Sequence, residues 1–142
     1  MADKEVVRDR QLTVKDLVCI KLFLPTLIAA AKNNRTMTYK EIVQQTGSPG
    51  GPRNVGRRLT WLRFFTRPRE LPDLDSLVIK TRTRTVGDGF EGDAKQQQIA
   101  CFNCVDWRMD EVDSYFEEME KFQKGRYTLE RMERFFNLRI LS

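Results

Sequence analysis

A mostly α fold with a small β wing, a winged helix-turn-helix domain followed by a C-terminal helical hairpin, is what this sequence predicts, on three observations. The stretch TYKEIVQQTGSPGGPRNVGRRL, residues 38–59, reads as two short helices joined by a Gly/Pro turn. A long apolar stripe at helical spacing precedes it, and two shorter stripes close the chain. Between them lie short β-rich runs separated by a glycine turn, the pattern of a wing. Residues 1–105 are assigned to the winged helix and residues 106–142 to a helical extension packed on it.

Each element has its own local reason. Leu17, Ile20, Leu24, Leu27, Ile28 and Ala31 mark a helix from about Val14 to Lys32, with Thr13 as its cap and Pro25 expected to kink or split it. Thr38 caps the next helix with Glu41 three residues on, a capping box, and Gly47 ends that helix. Pro49, Gly50 and Gly51 form the turn, and Pro52 supplies a φ suited to a first helical position. Beyond it Val55, Leu59 and Leu62 share one face, with Arg53, Arg57, Thr60 and Phe64 roughly opposite. Trp61, Phe64 and Phe65 could stack on bases, but aromatics at this spacing read as core. An extended Pro-rich run from Arg67 to Pro72 leads into a strand at residues 77–81. Gly87, Asp88 and Gly89 signal a turn, and a second strand is expected over residues 98–105.

The last forty or so residues change character. Val112, Tyr115, Phe116, Met119 and Phe122 stripe a helix that is acidic elsewhere. Gly125 breaks it, and Thr128 caps a second helix bearing Leu129, Met132, Phe135 and Phe136, with Leu138, Ile140 and Leu141 as an apolar tail. These helices either close over the winged helix or offer a surface for dimerisation or a protein partner.

Composition sets the outer bounds. With 142 residues, 40% hydrophobic and 32% charged, the chain is long enough to bury one core and is no disordered protein. The longest apolar run, residues 22–31, is interrupted by Pro25 and too short to cross a membrane. The charged N-terminus does not read as a secretory signal, and three cysteines disfavour a disulfide framework, so a cytoplasmic site is expected. Net charge is +5, and its placement matters more than its size. From Gly50 to Arg84, nine basic residues oppose three acidic ones, a net +6 that leaves −1 for the rest of the chain. Such a cluster attracts a polyanion and makes binding fall with salt; the rival reading is a solvated arginine-rich face with no partner.

Catalytic signals are weak. The chain has no histidine, which removes the commonest general base and the usual nucleophile pairings. Cys101 and Cys104 have CxxC spacing, yet a closed zinc site needs four ligands and only Cys19 remains; on a strand the two would face opposite ways, so burial of at least one is the expectation. Asp73, Asp75 and Asp88 could be assembled into a metal-dependent nuclease site, but no spacing compels it. No enzyme activity, cofactor or metal is expected.

The run Thr38-Tyr39, Glu41-Ile42, Gly47, Pro49, Arg53-Asn54-Val55-Gly56 and Leu59 resembles the DNA-binding winged helix of O6-alkylguanine-DNA alkyltransferases and alkyltransferase-like proteins. The resemblance implies double-stranded DNA as partner. It implies Arg53 as the residue that enters the base stack and Tyr39 as the one that presses on the phosphate of a flipped nucleotide. Asp73 stands where that family carries its alkyl-accepting cysteine, so the resemblance implies a retained binding scaffold without repair chemistry. Tyr39, Arg53, Asn54, Arg57, Arg58, Arg63, Arg82 and Arg84 are therefore the expected DNA contacts, chiefly to the backbone. Two other readings stay open: a small protein-interaction module, such as a phage-encoded inhibitor or an adaptor of a DNA-processing or defence complex, and recognition of alkylation lesions without repair.

Overall fold

The computed structural model describes residues 9–83, 85–86 and 93–140. The chain is mostly helical, with one small two-stranded parallel sheet. Helix α1 (Val14–Lys32) runs through the middle of the molecule, burying Leu17, Ile20, Leu24, Leu27, Ile28 and Ala31 as its periodicity requires. Its N-terminus is closed by a reciprocal box in which Thr13 Oγ1 accepts from the Asp16 amide (3.1 Å) and Asp16 Oδ2 accepts from the Thr13 amide (3.0 Å). Pro25 does not split it. The proline lies on the exposed side, where the Lys21 carbonyl it leaves without an intrahelical donor can face water.

Strand β1 (Met37–Thr38) passes directly into helix α2 (Tyr39–Thr46), whose cap is the expected box between Thr38 and Glu41, with bonds of 3.0 and 3.1 Å. Gly47 ends α2 in the left-handed region at φ 64°, where glycine carries no Cβ penalty. The next stretch is a succession of single turns. A 3₁₀ turn at Pro52–Asn54 opens it, followed by α3 (Val55–Leu59), a 3₁₀ turn at Thr60–Leu62, α4 (Arg63–Thr66) and a 3₁₀ turn at Arg67–Arg69. Every residue from Trp61 to Thr66 is buried, so this half has no solvent face at all. Phe64, placed on the outward side from the sequence, is fully buried, and Trp61, Phe64 and Phe65 are core as expected.

The sheet differs from expectation. Strand β2 (Val78–Ile79) pairs in parallel with β1, Met37 opposite Val78 and Thr38 opposite Ile79. Residues 98–105 are not its partner strand, because residues 94–103 form helix α5 (Ala94–Asn103), with Asp93 accepting from the Gln96 amide as its cap. Ala, Lys and three consecutive Gln favour helix, and that run outweighs the short alternation that suggested a strand. Ile79 instead makes an isolated antiparallel bridge to Val86, closed by Lys80 N donating to Thr85 O at 2.6 Å. The turn expected at Gly87-Asp88-Gly89 lies outside the described residues.

Helices α6 (Val112–Lys124) and α7 (Leu129–Phe136) complete the chain. Val112, Tyr115, Met119, Phe122, Leu129 and Met132 belong to the same buried cluster as α1 and α3. Tyr115 Oη donates to the Trp61 carbonyl at 2.8 Å, and Phe64 meets Phe136 at 5.2 Å between ring centres. The N-terminal strap ties in as well: Leu12 N donates to Tyr127 O and Leu129 N to Arg10 O. Of the apolar tail, Ile140 is buried and Leu138 half-buried.

Candidate nucleic-acid interface

The outward surface of the Tyr39 to Arg57 region is built by a turn that one buried arginine holds. Arg58 is 4% exposed; its Nε donates to Asp16 Oδ1 (3.1 Å), while Nη1 reaches Cys19 Sγ (3.4 Å) and the Pro49 carbonyl. Asp16 thus caps α1 with one oxygen and anchors the turn with the other. Gly50, at φ 89°, is required here. A Cβ would stand 2.7 Å from Asn54 Nδ2 and 3.0 Å from Arg58 Nη1. Asn54 closes the turn by donating Nδ2–H to the Gly50 carbonyl at 3.0 Å.

On this support Arg53 and Arg57, four residues apart, are both exposed and make no ion pair with a described residue. Tyr39 is half-buried beside Gly56, where an added Cβ would meet the tyrosine ring at 3.7 Å, an ordinary contact, so the packing of α2 on α3 does not require glycine there. Arg82 is exposed in the turn after β2; Arg84 lies outside the described residues.

Two of the expected contacts are corrected. Arg58 and Arg63 cannot serve a DNA backbone, because each is consumed by the interior. Arg63 is 2% exposed, donates from Nε and Nη2 to Asp75 Oδ2 (3.1 and 2.8 Å), and donates from Nη1 to the Ile140 carbonyl (2.9 Å). Arg67 chelates the Asp73 carboxylate (3.3 and 3.1 Å) and Arg69 pairs with Glu111 at 3.0 Å. Much of the positive charge counted between Gly50 and Arg84 is therefore internal cement rather than an external field. Asn54 is also partly committed, through its amide nitrogen.

Arg10 is a participant that the sequence did not single out. Its Nη2 donates to the Arg57 carbonyl at 3.0 Å, and its guanidinium lies 5.0 Å from the centre of the Trp61 ring. Burial, with Arg57 and Arg58 adding like charge, lowers its pKa to about 10 against the pull of Asp16. No local pattern signals such a contact, which spans 47 residues.

The carboxylates once open to a nuclease reading are paired: Asp73 to Arg67 and Asp75 to Arg63, with Asp88 outside the described residues. Among the described residues no three Cys, Asp or Glu side chains are placed to hold a metal. Cys101 is buried on α5 against Ser76 and the Asp73 carbonyl, and burial pushes its thiol up to about 12; Cys104, just past the helix end, is half-buried. Two expectations follow. Iodoacetamide at pH 8 adds one label per native chain, at Cys104, with Cys19 and Cys101 labelled only after unfolding, as peptide mass spectrometry would read. Because the unfolded chain releases the Cys101 proton near pH 9.0 and the folded chain holds it to about 12, stability falls as pH rises through that window. Cys101→Ala flattens that slope in urea titrations if the thiol is its source.

No helix among the described residues is long and apolar enough to cross a membrane. Comparison of the chain with models of protein families, with curated proteins and with solved structures finds no match.

Proposed function

We propose that this protein binds double-stranded DNA without catalysing a reaction on it, presenting α2, the Pro49–Gly51 turn and α3 as an alkyltransferase-like winged helix to the duplex backbone. The observation that carries the reading is the fate of the arginines. Arg58 and Arg63 are buried on carboxylates, and Arg67 and Arg69 are paired with carboxylates nearer the surface, whereas Arg53 and Arg57 project from the start of the same stretch with no acidic partner among the described residues. A guanidinium left exposed beside a turn that Arg58 and Asn54 hold suits phosphate oxygens, which take its planar fork directly. Tyr39 lies beside Gly56 on this face, and Arg10 adds positive charge behind Arg57. Backbone contact fits this surface better than lesion reading, because Asp73 is buried and engaged by Arg67.

The test is a salt titration of binding to plain duplex and to O6-alkylguanine duplex. Loss of two phosphate contacts lowers the slope of log K against log salt by about 1.8, so Arg53→Ala with Arg57→Ala flattens it by that much and weakens binding severalfold at low salt. An unchanged slope and affinity would exclude this face as the DNA surface. Tighter binding of the alkylated duplex would restore the lesion reading.

A further inference from the structure

The overall charge of the chain conceals a second basic segment. From residue 85 to residue 120 ten acidic residues oppose two basic ones, whereas from Lys121 to the last residue six basic oppose two acidic. The six are Lys121, Lys124, Arg126, Arg131, Arg134 and Arg139; all are exposed, and none makes an ion pair with a described residue. Of the two acids, Glu133 is buried and accepts from the Ile140 amide at 2.7 Å, which leaves Glu130 at the surface. The contrast with the Gly50–Arg84 segment is one of availability: there carboxylates pair four arginines, two of them buried, whereas here no described carboxylate pairs any of the six.

Aromatic rings lie among these cations. Phe135 is 61% exposed and is the only aromatic side chain among the described residues classed as exposed. Its ring is fixed from below by edge-on contacts with Phe122 at 5.1 Å and Phe136 at 5.3 Å. One helical turn earlier the Arg131 guanidinium lies 4.0 Å from the centre of the Tyr127 ring. Lys121, Phe122, Tyr127 and Phe135 line a groove of about 480 Å³ whose α6 wall carries Ser114, Glu117 and Glu118. Those two carboxylates repel a polyanion from the α6 side. The open course for one runs along Lys121, Tyr127, Arg131 and Phe135, with Arg134 one turn from Arg131 on the neighbouring face of α7, where Asp9 and Glu130 share its cavity.

We propose that this surface, the end of α6, the following turn and α7, binds single-stranded nucleic acid, stacking a base on Phe135 while the flanking arginines neutralise phosphates. Aromatic rings interleaved with cations suit an unpaired strand, whose base faces are free, better than a duplex, whose bases are covered by their neighbours. A lipid surface fits poorly, since the apolar residues Leu129 and Met132 of α7 are buried in the core and Phe135 alone is offered outward. The surface shares no residue with the duplex face proposed above and does not depend on it.

The full-length protein should be titrated by anisotropy against labelled oligo(dT) and oligo(rU) of about 12 nucleotides. Phe135→Ala is expected to weaken strand binding between about fivefold and a hundredfold at a temperature where it remains fully folded, while Phe135→Tyr retains binding. Arg131→Ala with Arg134→Ala lowers the salt slope by about 1.4. The ranking of the two oligonucleotides identifies DNA or RNA as the preferred strand. Wild-type affinity in both variants overturns the proposal, and so does an equal loss of binding to heparin and to strands in Phe135→Ala, since heparin has no base to stack. Loss of strand binding only in the Arg53, Arg57 double variant would also overturn it, whereas failure of the duplex reading leaves these readouts unaffected.

Discussion

Replacing Arg63 by alanine is expected to cost about 3–5 kcal/mol of folding stability, the range for removing one partner of a buried ion pair. Arg63 and Asp75 are both buried, and Asp75 Oδ2 takes two bonds from the guanidinium while Oδ1 has no hydrogen-bond partner among the described residues. Alanine at 63 would strip the carboxylate of its guanidinium partner and leave the Ile140 carbonyl, which Arg63 and Arg67 share, to Arg67 alone. Urea denaturation measures the loss; a change below about 1 kcal/mol would mean that water or a shifted side chain replaces the guanidinium. Burial already pushes the Asp75 carboxyl above its ordinary range despite the counter-pull of Arg63, and without Arg63 it rises further. Protonation then removes the stranded charge, so the deficit of Arg63→Ala shrinks as pH falls. Replacing both partners, Arg63→Met with Asp75→Leu, should recover much of the loss, because an apolar pair of similar size needs no desolvation.

Replacing Arg58 should damage stability and the proposed DNA face together. Its guanidinium is the only described link between Asp16 on α1 and the carbonyl of Pro49 in the turn, and both members of its ion pair are almost wholly buried. Arg58→Ala is expected to lose about 3–5 kcal/mol through the uncompensated Asp16, which must also go on capping α1. Arg58→Lys separates the two effects. An ammonium can still face Asp16 but cannot hold Cys19, Pro49 and the carboxylate in one planar fork, so stability falls less while the turn that positions Arg53 loosens. Duplex affinity measured where Arg58→Lys is fully folded should drop. Wild-type affinity there would show that the turn needs no tether.

These two residues mark the limit of what local pattern reveals. The caps at Thr13 and Thr128, the capping box at Thr38, the helix end at Gly47 and the buried stripes of α1 and α6 follow from residue type and spacing within a few positions. The strand expected at residues 98–105 failed for a related reason: a short apolar run is an equally good helix segment when helix formers such as Ala94, Lys95 and the three glutamines 96–98 lead into it. Arg53, Arg57, Arg58 and Arg63 look alike in sequence, and nothing within a turn of each tells a surface cation from a structural one. The deciding carboxylates lie 42 residues away for Arg58 and 12 for Arg63.

The basic C-terminal surface was hidden by arithmetic. Its charge is outweighed in the chain total by the acidic stretch just before it, and Phe135 shares the helix with core residues at similar spacing. Only the rotation of α7 against the core separates Phe135, left outside, from Leu129 and Met132 within. By itself the sequence determined where helices start and stop and which stripes are apolar, because capping and periodicity act over one turn. The tertiary structure alone decided which charges remain outside. Desolvation and pairing of a guanidinium depend on partners the fold brings from distant parts of the chain.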